Sequence, residues 1–169
     1  MNASKTNISV NKKTLKRMNN KILTTLFMGL KLPLAVIAGL RVESVSAEQG
    51  QVSLPYGWRS QNPFRSIYFA AQSMAAEMST GVLGQLACDS VDDSIAMLVV
   101  KCEGDFFKKA TDRTTFTCSQ GQDFFDAIHK TVQTGEPVTV RAISEGRMPD
   151  GTITSRFIFT WSFKKRSKK

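Results

Sequence analysis

Between Pro63 and Leu86 the chain is almost without bulky polar side chains, and this segment constrains the fold more than any other. Ile67, Ala71, Met74, Met78 and Val82 step by four, three, four and four, which puts them on one face of a helix. Ala70, Ala75 and Ala76 keep much of the remaining circumference small. Such a helix has no good solvent face. It is expected to be surrounded, and it is predicted from about Pro63 or Ser66 to about Leu86.

What surrounds it is written in the flanking periodicities. Leu40 to Val45 reads as a strand, and Glu48-Gln49-Gly50 reads as a turn. Val52, Leu54 and Tyr56 alternate with polar neighbours, as a half-buried strand does. Ile95 to Val100 is a continuous apolar run between Asp92-Asp93 and Glu103-Gly104, which predicts a central strand. Phe106 to Cys118 alternates and is rich in Thr, which favours strand. Asp123 to Thr134 reads as a short helix stopped by Gly135, with Phe124, Phe125, Ile128 and Val132 facing inward. Val138, Val140 and Ala142 open another strand, and Met148-Pro149-Asp150-Gly151 is a turn. In the last strand Ile153, Phe157, Phe159, Trp161 and Phe163 keep a period of two. One apolar helix and one antiparallel sheet make a two-layer α+β domain, and strand twist curls the sheet around the helix.

The ends are different in kind. The first 42 residues contain no Asp or Glu, and the chain closes on Lys164-Lys165-Arg166-Ser167-Lys168-Lys169. The net charge of +9 therefore belongs to the ends and not to a face that would read nucleic acid. Residues 1–17 are expected to be a disordered basic tail, 18–165 the domain, and 166–169 a second basic tail. From Met18 to Lys31, Ile22, Leu23, Leu26, Phe27 and Leu30 recur at helical spacing, which predicts an amphipathic helix ended or kinked by Pro33. Leu34 to Ala38 is expected as a short apolar turn.

A basic stretch before an apolar run has the outline of a secretory signal, but Lys31 and Pro33 interrupt the run, and Arg41 and Glu43 precede any cleavage point. A cytoplasmic location without a membrane span is expected. Cys88, Cys102 and Cys118 are odd in number and lack metal-ligand spacing, so neither a disulfide framework nor a metal site is expected.

Glu77 is the residue with most chemical promise. It sits at the edge of the apolar helical face, among Met74, Ala75, Ala76 and Met78. Burial there would raise its pKa toward the range of a general base, whereas exposure would leave it an ordinary helix carboxylate. His129, the one histidine, reads as a surface or capping residue.

The stretch from Asn62 through Asn62-Pro63-Phe64-Arg65-Ser66-Ile67-Tyr68-Phe69-Ala70-Ala71-Gln72-Ser73-Met74-Ala75-Ala76-Glu77 resembles the active-site segment of hotdog-fold thioesterases of the phenylacetyl-CoA thioesterase type. Asn62 and Glu77 stand fifteen positions apart, as in that family. Lys31-Leu32-Pro33, Phe107-Lys108-Lys109-Ala110-Thr111 and Phe159-Thr160-Trp161-Ser162-Phe163 extend the resemblance over roughly residues 20–165, toward an uncharacterised thioesterase-like branch.

The resemblance implies a hotdog fold, a homodimer or homotetramer, and hydrolysis of an acyl-CoA or acyl carrier protein thioester, with no cofactor. It gives Glu77 the role of base or nucleophile, with Asn62 positioning water or capping the approaching chain. Backbone N–H groups around Tyr68, Phe69, Ala70 and Ala71 would polarise the carbonyl. Gln72 would line the site or lie on the helix surface, and Thr80, three residues after Glu77 on the same side of the helix, would hydrogen-bond Glu77 or substrate. Lys108, Lys109 and Arg113 would meet CoA phosphates or form a solvated strand face. The family's His-Gly-Gly turn is replaced by Tyr68, Phe69, Ala70 and Ala71, which leaves a non-catalytic acyl-binding module as the alternative. A third reading makes the basic ends a binder of polyanions or anionic membranes.

Overall fold

The computed structural model describes residues 9–167. Three helices come first: α1 (Lys12–Met18), α2 (Lys21–Lys31) and α3 (Pro33–Ala38). Two strands follow, β1 (Arg41–Val45) and β2 (Gly50–Leu54). The long helix α4 (Phe69–Cys88) precedes β3 (Ile95–Phe106) and β4 (Thr114–Cys118). The helix α5 (Gly121–Thr134) then leads to β5 (Val138–Arg147) and β6 (Ile153–Lys165). The six strands form one antiparallel sheet in the order β1-β2-β4-β5-β6-β3.

The sheet holds α4 against its concave face. Ala75, Ala76, Leu83, Leu86 and Ala87 of the helix are buried against Val52, Leu54, Phe116, Val140, Phe159 and Phe163. Small helix residues let strands approach closely. A Cβ at Gly50 of β2 would collide with the Ser79 carbonyl oxygen, so only glycine fits there. Three polar ties fix the rotation of α4 about its axis. Gln72 Oε1 accepts from Ser155 Oγ at 2.8 Å. The Ser79 and Ser144 hydroxyls meet at 2.7 Å. Trp161 Nε1 donates to Thr80 Oγ1 at 2.9 Å.

Several expectations are corrected. The segment predicted to be disordered, 1–17, contains α1; residues 1–8 lie outside the described residues. Its polar residues are caps and ties. Asn11 Oδ1 accepts from the N–H groups of Lys13 and Thr14, while Asn11 Nδ2 donates to the Asp89 carbonyl and Arg17 pairs with Asp89 at 3.2 Å. The helix expected from Met18 begins at Lys21, because Asn20 caps a new helix there. Pro33 starts a helix instead of a turn, at the position where its missing N–H costs nothing.

The five apolar residues whose spacing predicted an amphipathic helix are all exposed on α2, and Met28 is the residue that α2 buries. The stripe predicted on α4 is displaced as well. Met74 and Val82 are half-buried, and the sheet instead receives Gln72, Ala76, Ser79, Thr80 and Leu83. Ile95 to Val100 belongs to an edge strand that runs on to Phe106, not to a central one. Leu98, 65% exposed, and Val100 point outward from it. The segment 107–113 is a loop, so the strand predicted from Phe106 to Cys118 is confined to β4.

Candidate functional site

The polar ties that turn Gln72, Ser79 and Thr80 toward the sheet turn Glu77 away from it. At about 100° per residue, Glu77 shares the opposite side of α4 with Ala70, Met74 and Gly81. There it meets the layer formed by α1, α2 and α3. Two cavities lie between these layers, and Glu77 lines both. One, of about 540 Å³, runs between α2 and the C-terminal half of α4. Its walls include Leu23, Phe27, Met28, Val82, Met97 and Trp161. The other, of about 470 Å³, extends toward Pro33, Leu34, Ser73, Cys102 and Phe159. Lys31, Leu32 and Met78 join Glu77 as walls common to the two. Both spaces are lined mostly by carbon.

Removal from water pushes the Glu77 carboxyl above its ordinary range, and among the described residues no side chain pairs with it by hydrogen bond or ion pair. Gly81 leaves room one turn onward, where a Cβ would sit 3.5 Å from Glu77 Oε1. Thr80, predicted to bond Glu77 or substrate, donates to the Glu77 backbone carbonyl at 2.8 Å and is fully buried. It supports the helix on which the carboxylate rides.

The other predicted residues lie elsewhere. Asn62 is committed to its own loop: Oδ1 accepts from the N–H of Phe64 at 3.0 Å and from that of Ser66 at 3.3 Å. Tyr68 is the N-cap residue of α4 and gives no side-chain cap. In the first turn that follows, the N–H groups of Phe69, Ala70 and Ala71 precede the first intrahelical bond, from Gln72 N to Tyr68 O at 3.1 Å. Gln72, predicted to line the site, is buried between Ser155 and the Ile67 carbonyl. Lys108, Lys109 and Arg113 sit on the loop after β3. Lys109 donates to the Phe64 carbonyl at 3.1 Å and Arg113 to Ser53 at 3.1 Å. None of these residues lines the two cavities.

The residues that sequence reasoning missed are the walls contributed by Met18, Phe27, Met28 and Lys31, and across from them Met97 and Trp161. The signal was the breadth of the apolar surface of α2, which is wider than one packing stripe requires. Among the described residues no three His, Cys, Asp or Glu side chains gather as metal ligands, and no helix is long and apolar enough to cross a membrane.

This arrangement, a sheet wrapped on a long helix with an acid on the helix's far side, is a hotdog fold. Solved structures with the same fold have low sequence identity to the chain. A thioesterase from Haemophilus influenzae superposes with a TM-score of 0.66 at 9% identity, covering 86% of this chain and 91% of its own. A protein of unknown function from Chlorobaculum tepidum gives 0.75 at 12%, covering 93% and 98%. A mutant thioesterase from Pseudomonas aeruginosa gives 0.64 at 15%, covering 90% and 94%. The chain belongs to the family described as domain of unknown function DUF4442, whose model matches residues 20–161. No curated protein matches it.

Proposed function

We propose that the protein hydrolyses an acyl thioester, carried by CoA or by an acyl carrier protein, with Glu77 as the base. The carrying observation is the Glu77 carboxylate, lifted by burial, which lines both of two carbon-lined cavities. A carboxylate so lifted is a stronger base than one in water. It would take a proton from a water molecule as the water oxygen bonds to the thioester carbonyl carbon. The carbon–sulfur bond then breaks, and the proton passes to the departing thiolate. The products are a carboxylic acid and a thiol. Attack by Glu77 itself, followed by hydrolysis of the anhydride, has the same balance.

The developing oxyanion needs donors. Glu77 lies eight residues beyond Phe69, about 12 Å along the helix axis. The first-turn N–H groups of the same helix are therefore out of reach of a carbonyl beside Glu77. This favours a homodimer in which the α4 N-terminus of a second copy supplies the donors. The open edge of β3 and its outward Leu98 and Val100 suit such pairing. Asn62 enters this reading as the organiser of the loop leading into that turn. The three free thiols agree with a reducing, cytoplasmic setting.

Purified protein is expected to release free thiol from one or more of a panel of short, aromatic and long acyl-CoAs, with Glu77→Gln losing at least ~100-fold in rate. Full activity of Glu77→Gln would remove the basis of the reading. A second reading, a non-catalytic acyl carrier, is favoured by Tyr68, Phe69, Ala70 and Ala71 where the resembled family has glycines. A bound acyl ligand with no turnover would select it.

A further inference from the structure

The helices that wall the larger cavity carry a second apolar surface that the cavity does not use. Leu23, Phe27 and Met28 of α2 turn toward the cavity. Ile22, Leu26 and Leu30, four residues apart, turn away from it, and Leu30 is 82% exposed. Ile37 continues this outward surface on α3, and Leu34, 63% exposed, is shared between it and the smaller cavity; α3 packs against α2 and buries Ala35 and Ala38 on its inner side. Five large aliphatic side chains on two adjoining helices thus meet water.

The surroundings of this ridge are cationic. Lys12, Lys13 and Lys16 are exposed on α1, which packs against α2, while Lys21, 3.8 Å from Glu43, and Lys31, a wall of both cavities, close the two ends of α2. The sequence has no acidic residue before Glu43. A second copy is a poor occupant, because a two-fold contact on the ridge would set these cations against themselves. The sheet, moreover, offers self-association a different face at β3. An aliphatic ridge bordered by lysines is the pattern of a helix lying in a lipid headgroup layer.

We propose that α2 and α3 dock the protein peripherally on an anionic lipid surface, with Ile22, Leu26, Leu30, Leu34 and Ile37 entering the headgroup–acyl boundary and the lysines meeting lipid phosphates. This inference stands apart from the hydrolase reading, since it concerns partitioning and not turnover. It makes α2 a partition one helix thick, with lipid on one side and the cavity of Glu77 on the other.

The full-length protein is tested by co-sedimentation with vesicles of phosphatidylcholine alone and of phosphatidylcholine with one-third phosphatidylglycerol. Binding is expected to the anionic vesicles, and it should weaken steeply in half-molar salt. The double variant Leu26→Ser/Leu30→Ser, whose changes avoid the cavity walls, should partition at least ~10-fold more weakly. The triple variant Lys12→Gln/Lys13→Gln/Lys16→Gln, with the ridge intact, should lose on the order of 100-fold, about five-fold per lysine. Three results would each overturn the proposal. The first is no binding to anionic vesicles at low salt. The second is binding that the leucine changes leave untouched. The third is a lower oligomeric mass for the leucine variant by light scattering, which would assign the ridge to a second copy.

Discussion

The bond from Trp161 Nε1 to Thr80 Oγ1 gives a quantitative test of how the helix is held. Thr80 is fully buried and Trp161 nearly so, and their bond spans 2.9 Å. Thr80→Val keeps the shape of the side chain but removes the acceptor, which strands an indole N–H away from water. An unsatisfied buried donor costs about 1–3 kcal/mol. At a urea slope of about 2 kcal/mol per molar for a small domain, the unfolding midpoint should fall by roughly 1 M.

The same change also removes the bond from Thr80 to the Glu77 carbonyl, so the single variant overstates the pair. A double-mutant cycle with Trp161→Phe separates them, because phenylalanine has no N–H to strand. Thr80→Val should then cost less by about 1–2 kcal/mol in the Trp161→Phe background than in the parent. Far-UV circular dichroism in urea is the suitable probe, since Trp161→Phe alters fluorescence. Equal costs in the two backgrounds would refute the claim that this bond fastens α4 to β6.

Three further outcomes follow from residues described above. Because burial raises the Glu77 pKa in the folded state, the stability it contributes is full below the ordinary carboxylate range and is lost as pH rises through the raised value. Glu77→Gln should therefore match the parent protein in acid and be the more stable of the two at neutral pH. The difference is about 1.4 kcal/mol for each unit of elevation, less whatever water reaches the group, and thermal melts from pH 4 to pH 8 would show the curves separating or not. Gly50→Ala should destabilise by about 1–3 kcal/mol, because its methyl group would meet the Ser79 carbonyl oxygen, a backbone atom that cannot swing aside; chemical denaturation measures it. Burial pushes the thiols of Cys88 and Cys118 up to about 12 and about 11, while Cys102 is exposed on β3. A maleimide should therefore label one thiol per native chain and three after unfolding, with Cys102→Ser abolishing the native signal.

Much of the architecture was legible in the sequence. The period of two in β6 identified Phe157, Phe159, Trp161 and Phe163 as inward, and all four are buried. The scarcity of polar bulk in α4 announced a wrapped helix, but it left open whether Glu77, at the edge of the apolar face, would be buried or exposed. What periodicity could not give was the direction of a face. It grouped Ile22, Leu26 and Leu30 correctly, yet a stripe of leucines looks the same whether a sheet or solvent lies beyond it.

Gln72 was misread for a different reason. A glutamine on a helix is ordinarily a surface residue, and the hydroxyl that satisfies it, Ser155, is 83 positions away. The apolar run of β3 was equally ambiguous, because a strand covered on both faces and an edge strand with outward leucine and valine have the same composition. The segment around Lys108 and Lys109 alternates like a strand, but alternation carries no information about whether a neighbouring strand is within reach.

The thinness of the cavity wall has a kinetic consequence. Helix α2 is anchored from within by one buried side chain, Met28, whereas α4 buries eleven of its twenty residues. Segments with so little enclosed surface part from their neighbours at a small fraction of the energy of global unfolding. Amide protons of α2 should accordingly exchange with deuterium long before those of α4. Both cavities beside the carboxylate already open partly to solvent, and these brief departures would widen the approach for an apolar guest.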